Sequence, residues 1–109
     1  MEALAALADP VRRQLLELLA GGEVAAGDLA GRFPVSRPAI SRHLRVLREA
    51  GLVTVRSDGK RRLYALDPRP LRQIDDWLEP YRDLWAQRLD ALDTEIARGR
   101  RARASGEQP

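Results

Sequence analysis

The chain has 109 residues, 44% of them hydrophobic, which is enough for one small domain with a limited core. No apolar run approaches the ~20 residues of a membrane-spanning helix, and the N-terminus lacks the basic and apolar segments of a secretory signal. The sequence contains no cysteine, which excludes disulfides, thiolate metal sites and thiol redox switching, so we expect a cytoplasmic protein.

The formal net charge is only +3, but the charges are segregated along the chain. Residues 34–66 carry a net charge of +6, whereas residues 1–33 carry −2, residues 67–97 carry −4 and residues 98–109 carry +3. Eighteen of the nineteen basic residues are arginine, which forms bidentate contacts with phosphate and guanine. This segregation indicates a basic surface whose expected partner is DNA.

The first third of the chain is typical of a helical scaffold. Residues 2–8 predict a short helix rich in alanine and leucine. Asp9 followed by Pro10 predicts the start of a second helix, because aspartate caps helix N-termini and proline fits the first helical position. A third helix is expected over about residues 26–33, without a good capping side chain.

Residues 36–50 predict a helix with one apolar and one basic face. Ser36 can cap it and Gly51 supplies the left-handed residue that ends it. Ile40, Leu44 and Leu47 form the apolar stripe, and the arginines lie opposite. The candidate DNA-contacting residues are Ser36, Arg37, Pro38, Ser41, Arg42, His43, Arg45 and Arg48. Among them Arg42 and Arg45, with Arg37 at the helix entry, are the candidates for contacts with base edges.

A hairpin follows, with strands over residues 52–57 and 60–66 and a turn at Asp58-Gly59. This turn predicts that Arg56 faces Arg61 and that Val55 faces Arg62. Two arginines directly opposite each other repel unless an anion lies near them, and a phosphate backbone would supply one. A solvated hairpin whose arginines splay apart is the alternative. The candidate contacts to phosphate or the minor groove are Arg56, Lys60, Arg61 and Arg62.

The C-terminal part predicts a helix pair after a rigid break at residues 67–70. Apolar residues recur every three or four positions up to Ile96, and such a stripe needs a partner. Folding back on its own domain is one interpretation, and packing against a second copy together with the first helix is the other. The predicted dimerisation residues are Leu4, Leu7, Leu71, Ile74, Trp77, Leu78, Tyr81, Trp85, Leu89 and Leu92. Pro80 is expected to kink or restart the helix, and residues 98–109 predict a disordered basic tail.

The run GDLAGRFPVSRPAISRHLRVLREAGLV at residues 27–53, with the basic hairpin ending RRLYAL, resembles the ArsR-type winged helix-turn-helix repressors. The resemblance covers about residues 1–92. It implies a fold that is mainly α with a small β-hairpin, with dimerisation helices at both ends over residues 1–97. It also implies a homodimeric DNA-binding regulator, usually a repressor that leaves its operator when an inducer binds. His43 either reaches a phosphate, as the resemblance suggests, or is a flanking residue bonded to backbone.

No cofactor or metal site is expected. Many metal-binding members carry a CVCDL motif, but residues 25–29 read AAGDL here, and the C-terminal carboxylates lack a histidine partner. One histidine, without cysteine or an organised carboxylate pair, offers no catalytic group, so we expect no enzyme. The inducer remains open between a small organic molecule, a protein and none. A winged-helix module that binds an acidic protein is the alternative function.

Overall fold

The structure, a computed structural model, describes the backbone of residues 2–104 and the side chains of residues 2–100. Within this range the chain forms five helices and three strands. In chain order they are α1 (Glu2–Ala6), α2 (Pro10–Leu19), β1 (Val24–Ala25), α3 (Ala26–Gly31), α4 (Arg37–Glu49), β2 (Val53–Asp58), β3 (Arg61–Leu66) and α5 (Arg69–Ala104). This mainly helical architecture with a small sheet confirms the predicted fold class.

The helix starts follow from the local sequence. The Asp9 carboxylate accepts hydrogen bonds from the backbone N–H groups of Val11 at 2.8 Å and Arg12 at 3.1 Å, so it caps α2 as predicted. The Ser36 hydroxyl accepts a hydrogen bond from the N–H of Ala39 at 3.2 Å and caps α4. Gly51, with φ +76°, lies just past the end of α4, where the left-handed backbone favours glycine.

The core of the first part of the chain is built from leucine and isoleucine side chains. Those with the least exposure are Leu15, Leu29, Ile40, Leu47 and Leu52, which come from α2, α3, α4 and the start of the hairpin. Leu44 is 3% exposed, so the whole predicted stripe of α4 is buried. Burying a leucine or isoleucine side chain contributes about 1.5–3 kcal/mol relative to leaving it in water. The buried stripe therefore fixes which face of α4 remains in solvent.

The three strands form an antiparallel sheet in the order β1-β3-β2. β1 pairs with β3 through Val24 opposite Tyr64 and Ala25 opposite Leu63. β1 was not predicted from the sequence, because a strand of two residues is too short to show an alternating pattern. Ala25 ends β1 and directly precedes α3, whose N-terminus has no side-chain cap, as the sequence predicts.

The predicted hairpin register is wrong. Asp58 lies opposite Arg61, so the turn residues are Gly59 and Lys60, and every predicted pair is displaced by two residues along β3. Gly59 has φ +61°, and no non-glycine residue in the described part has a positive φ. A turn that needs positive φ only at its first central position places glycine there and leaves Asp58 in the strand.

The predicted juxtaposition of Arg56 and Arg61 is therefore also wrong. Arg56 lies opposite Leu63, and Arg61 lies opposite an aspartate. Opposite charges facing each other across a sheet are favourable, so the hairpin needs no bound anion to relieve repulsion. The displacement is an even number of residues, so each side chain stays on its predicted face.

The C-terminal helix is longer than the sequence predicts. It runs without interruption from Arg69 through Pro80 to Ala104, so Pro80 does not restart it. Residues 98–104 are helical where a disordered tail is predicted, because arginine and alanine are strong helix formers. Residues 105–109 of the predicted tail lie outside the described residues.

The chain divides into two compact units, and the boundary lies within α5, between Ile74 and Asp75. The first unit holds all other elements and is shorter than the predicted domain of residues 1–97. Ile74 is 8% exposed. No helix in the described range is both long and apolar enough to cross a membrane.

Candidate nucleic-acid interface

The outer face of α4 is basic and in solvent. Because Ile40, Leu44 and Leu47 point inward, Arg42 and Arg45 lie near the centre of the opposite face at about 100° per residue. Arg37, Arg42, Arg45 and Arg48 form no ion pair with any carboxylate among residues 2–100. All the predicted residues of α4 except His43 are exposed, namely Ser36, Arg37, Pro38, Ser41, Arg42, Arg45 and Arg48.

The hairpin and α4 contribute to one continuous surface. Arg37 and Ser41 from α4 line a shallow depression of about 200 Å³ together with Arg62 from β3 and Gly27 from α3. The Arg62 guanidinium lies 5.9 Å from the centroid of the Tyr64 ring, which is within the range of a cation–π contact. A basic side chain of the hairpin therefore lies next to the N-terminal half of α4.

The hairpin tip carries three exposed cations, including Arg62. Lys60, Arg61 and Arg62 line a second depression beside the first residues of α3, and none of them pairs with a carboxylate of the described side chains. Asp58 is the only acidic residue on the two hairpin strands. The tip is therefore a positively charged projection beside the start of α3.

Arg56, which the sequence groups with these cations, has a different environment. Its Nε donates to Glu23 Oε2 at 2.7 Å and its Nη2 donates to Glu23 Oε1 at 2.8 Å. These hydrogen bonds hold the pKa of Glu23 below its ordinary value and raise the pKa of Arg56. The charge of Arg56 is thus compensated within the chain, which the sequence did not indicate, because the two residues are 33 positions apart.

His43 faces α2 and is half-buried. Its Nδ1 lies 3.5 Å from Nη1 of Arg12 and 4.0 Å from Oδ1 of Asp9. Arg12 also donates through Nε to the carbonyl of Ala6 at 2.6 Å, so this side chain connects the end of α1 with α2 and α4. The pKa of Asp9 is lowered, first by the hydrogen bond from the Arg12 backbone. Arg12 was not predicted from the sequence, since no pattern distinguishes this half-buried arginine from the exposed ones.

The predicted dimerisation residues fall into two groups. In the first unit Leu4 is 38% exposed, Leu7 and Leu71 are half-buried, and Ile74 is buried, so Ile74 belongs to the core of its own chain. In the second unit most of the apolar side chains on the helix are exposed. They are Trp77, Tyr81, Leu84, Trp85, Leu89, Leu92 and Ile96, while Leu78 is half-buried.

The surface of the described part carries no cluster of metal ligands. Within residues 2–100, no three histidine or carboxylate side chains lie close enough together to hold an ion. The candidate functional residues are instead the basic side chains of α4 and of the hairpin.

The chain is similar in sequence to known regulators of transcription. A family model described as a helix-turn-helix domain matches residues 7–56. The HTH-type transcriptional regulator Rv2034 of Mycobacterium tuberculosis is 48% identical over 84 residues, which cover 77% of this chain and 76% of that protein. The transcriptional repressor SdpR of Bacillus subtilis is 38% identical over 73 residues, which cover 67% of this chain and 81% of that protein.

A solved structure supports the same assignment. The ArsR-like transcriptional regulator from Rhodococcus sp. RHA1 superimposes with a TM-score of 0.67 at 35% identity, covering 84% of this chain and 86% of that one. These relatives are regulators of transcription rather than enzymes, which confirms the prediction that the chain is not an enzyme. The chain belongs to the ArsR family of winged helix-turn-helix, DNA-binding transcriptional regulators.

Proposed function

We propose that the protein is a homodimeric repressor that binds an inverted-repeat operator, with α4 in the major groove and the β2–β3 hairpin, the wing, on the backbone or in the minor groove. The observation that carries this proposal is the outer face of α4, where four arginines are exposed and without an internal ion pair. An unpaired basic helix face, supported from behind by a buried apolar stripe, has the shape and charge to enter the major groove.

Arg42 and Arg45 are the proposed base-reading residues. They lie centrally on the exposed face of α4, and arginine makes its best bidentate contact with O6 and N7 of guanine. Arg37 shares a depression with Arg62, a position that also suits a phosphate running between α4 and the wing.

Lys60, Arg61 and Arg62 are the proposed phosphate contacts of the wing. Contacts of this kind position the protein on the duplex and add affinity that does not depend on sequence. Each phosphate neutralised releases counterions, so the affinity should fall steeply as salt is added.

The dimer is proposed to form through the apolar side chains of α5 together with α1. Trp85 is 53% and Leu89 60% exposed, and side chains of this size are rarely left in water as a continuous stripe. In a two-fold dimer the two α4 helices would enter successive major grooves about 34 Å apart, which is why the operator is expected to be an inverted repeat.

In vitro selection of duplex DNA from a random library, followed by binding measurements over a salt series, tests the proposal. We expect selected duplexes to contain an inverted repeat with half-sites about one helical turn apart, and the affinity to fall steeply with salt. The DNA upstream of the protein's own gene is a natural additional probe for autoregulation. Failure to enrich any sequence, with a shallow salt dependence, would contradict the proposal and favour an acidic protein as the partner.

A further inference from the structure

We propose that Glu23 and Arg56 form a brace that fixes the orientation of the wing, and that Arg56 is a positioning residue rather than a contact to DNA. This inference rests on the proposed DNA-binding function and assigns a role within it to two residues. Arg56 is one of eight basic residues in the segment 34–66, and the sequence alone groups it with the other cations of the hairpin.

The brace spans the whole sheet. Arg56 lies on β2 and Glu23 immediately precedes β1, and these two strands are the outer strands on either side of β3. Arg56 lies opposite Leu63, which in turn lies opposite Ala25. Cross-strand partners share a face, and residues two apart along a strand share it too, so Glu23 and Arg56 project from the same face.

The pairing geometry is specific. Two nitrogen atoms of the guanidinium reach the two carboxylate oxygens at 2.7 and 2.8 Å, the fork arrangement that gives arginine–carboxylate pairs their directional preference. Gly22, with φ +132°, sets the direction in which the chain enters β1, a backbone conformation that side-chain-bearing residues rarely adopt. The position of Glu23 is thus determined by the turn before β1.

The consequence for the wing follows from which part of it is buried. Val53, Leu63 and Tyr64 anchor its base in the core, whereas residues 56–62 towards the tip are exposed. β1 pairs with β3 through only two residues, whereas β2 and β3 pair over six. β2 is an outer strand of the sheet. The ion pair connects it directly to the segment between α2 and β1. Without this connection the hairpin would keep its internal register, while its angle to α4 would be less restricted.

Removal of the carboxylate gives opposite results under the two interpretations of Arg56. If Arg56 contacts phosphate, Glu23 competes for it, so Glu23→Gln should tighten binding and Arg56→Gln should lower the salt slope by about 0.9. If the pair is a brace, both single variants should weaken specific binding by about two- to fivefold, the range measured for exposed ion pairs. The salt slope should then be unchanged, because no phosphate contact has been lost.

The experiment measures fluorescence anisotropy with the duplex selected by the wild-type chain, over a salt series. It compares Glu23→Gln, Arg56→Gln and the charge-swapped double variant Glu23→Arg with Arg56→Glu. Asp28→Asn is the matched control, since Asp28 is exposed beside the hairpin tip and pairs with no cation of the described side chains. The brace predicts weakened binding for both single variants, recovery to within about twofold for the swap, and no weakening for Asp28→Asn. Tightening by Glu23→Gln, or a swap weaker than either single variant, would overturn it.

Amide hydrogen exchange without DNA separates this proposal from the proposed function. The brace predicts faster exchange of β1 and β2 amides in both single variants and near wild-type rates in the swap. Unchanged exchange in the single variants would overturn the brace even if DNA binding is confirmed. A wild-type chain that binds no duplex would refute the proposed function, and the exchange rates would still decide whether the pair holds the wing.

Discussion

Replacement of Trp85 by alanine is expected to shift the protein from dimer to monomer. Trp85 is 53% exposed on α5, and a tryptophan side chain can bury up to about 250 Å². Roughly 130 Å² is thus available to a partner, which at ~25 cal/mol per Å² corresponds to about 3 kcal/mol per copy. Since a two-fold interface loses the side chain twice, and area converts incompletely to affinity, association should weaken by about two to four orders of magnitude.

Sedimentation equilibrium over a range of protein concentrations measures this change. Alanine is a better helix former than tryptophan, so the substitution should not itself destabilise α5. Gln87→Ala is the matched control, because Gln87 is an exposed polar residue on the same helix turn. A Trp85→Ala variant that dimerises as tightly as the wild type, or a wild-type chain that is monomeric at micromolar concentration, would refute the proposed interface.

Three further changes test other parts of the structure. Lys60→Ala should weaken binding to all duplexes alike and lower the salt slope by about 0.9, and an unchanged slope would remove the wing tip from the interface. Gly51→Ala should destabilise the fold by about 1–2 kcal/mol in thermal or denaturant unfolding, because Gly51 has φ +76°, and an unchanged stability would contradict this. The hydrogen bonds from Arg69 lower the pKa of Asp67 to about 2, below its ordinary value of 3.8. The stabilisation from this carboxylate is therefore present above pH ~4 and lost as the pH falls towards ~2. Asp67→Asn should flatten the dependence of unfolding free energy on pH in that window, and an identical acid profile would exclude the assignment.

Much of the first compact unit was predictable because its signals are local. The cap at Ser36, the stripe of Ile40, Leu44 and Leu47 and the glycine at position 51 lie within one short segment and together specify α4 and its exposed face. Asp9 was recognised as a cap for the same reason. These features need only helical periodicity and the hydrogen-bonding requirements of helix ends.

The features that were missed depend on contacts between distant residues or on one choice within a turn. The pairing of Glu23 with Arg56 and the contact of Arg12 with His43 leave no local pattern in the sequence. The hairpin register depended on whether Asp58 or Gly59 occupies the first turn position, and the glycine's positive φ decided it. The length of α5 was underestimated because a polar, basic segment has no apolar periodicity, although its residues favour a helix.

The central claim is that α4 reads DNA sequence, and the most direct test compares the affinity for the selected duplex with that for a scrambled duplex. The variant combines Arg42→Ala with Arg45→Ala, and the control combines Arg72→Ala with Arg88→Ala, which removes the same charge from exposed positions on α5. We expect the double variant on α4 to lose about 1–3 kcal/mol per arginine on the selected duplex and most of its preference over the scrambled one. The control should retain its preference. An α4 variant that keeps the wild-type ratio of the two affinities would contradict the account.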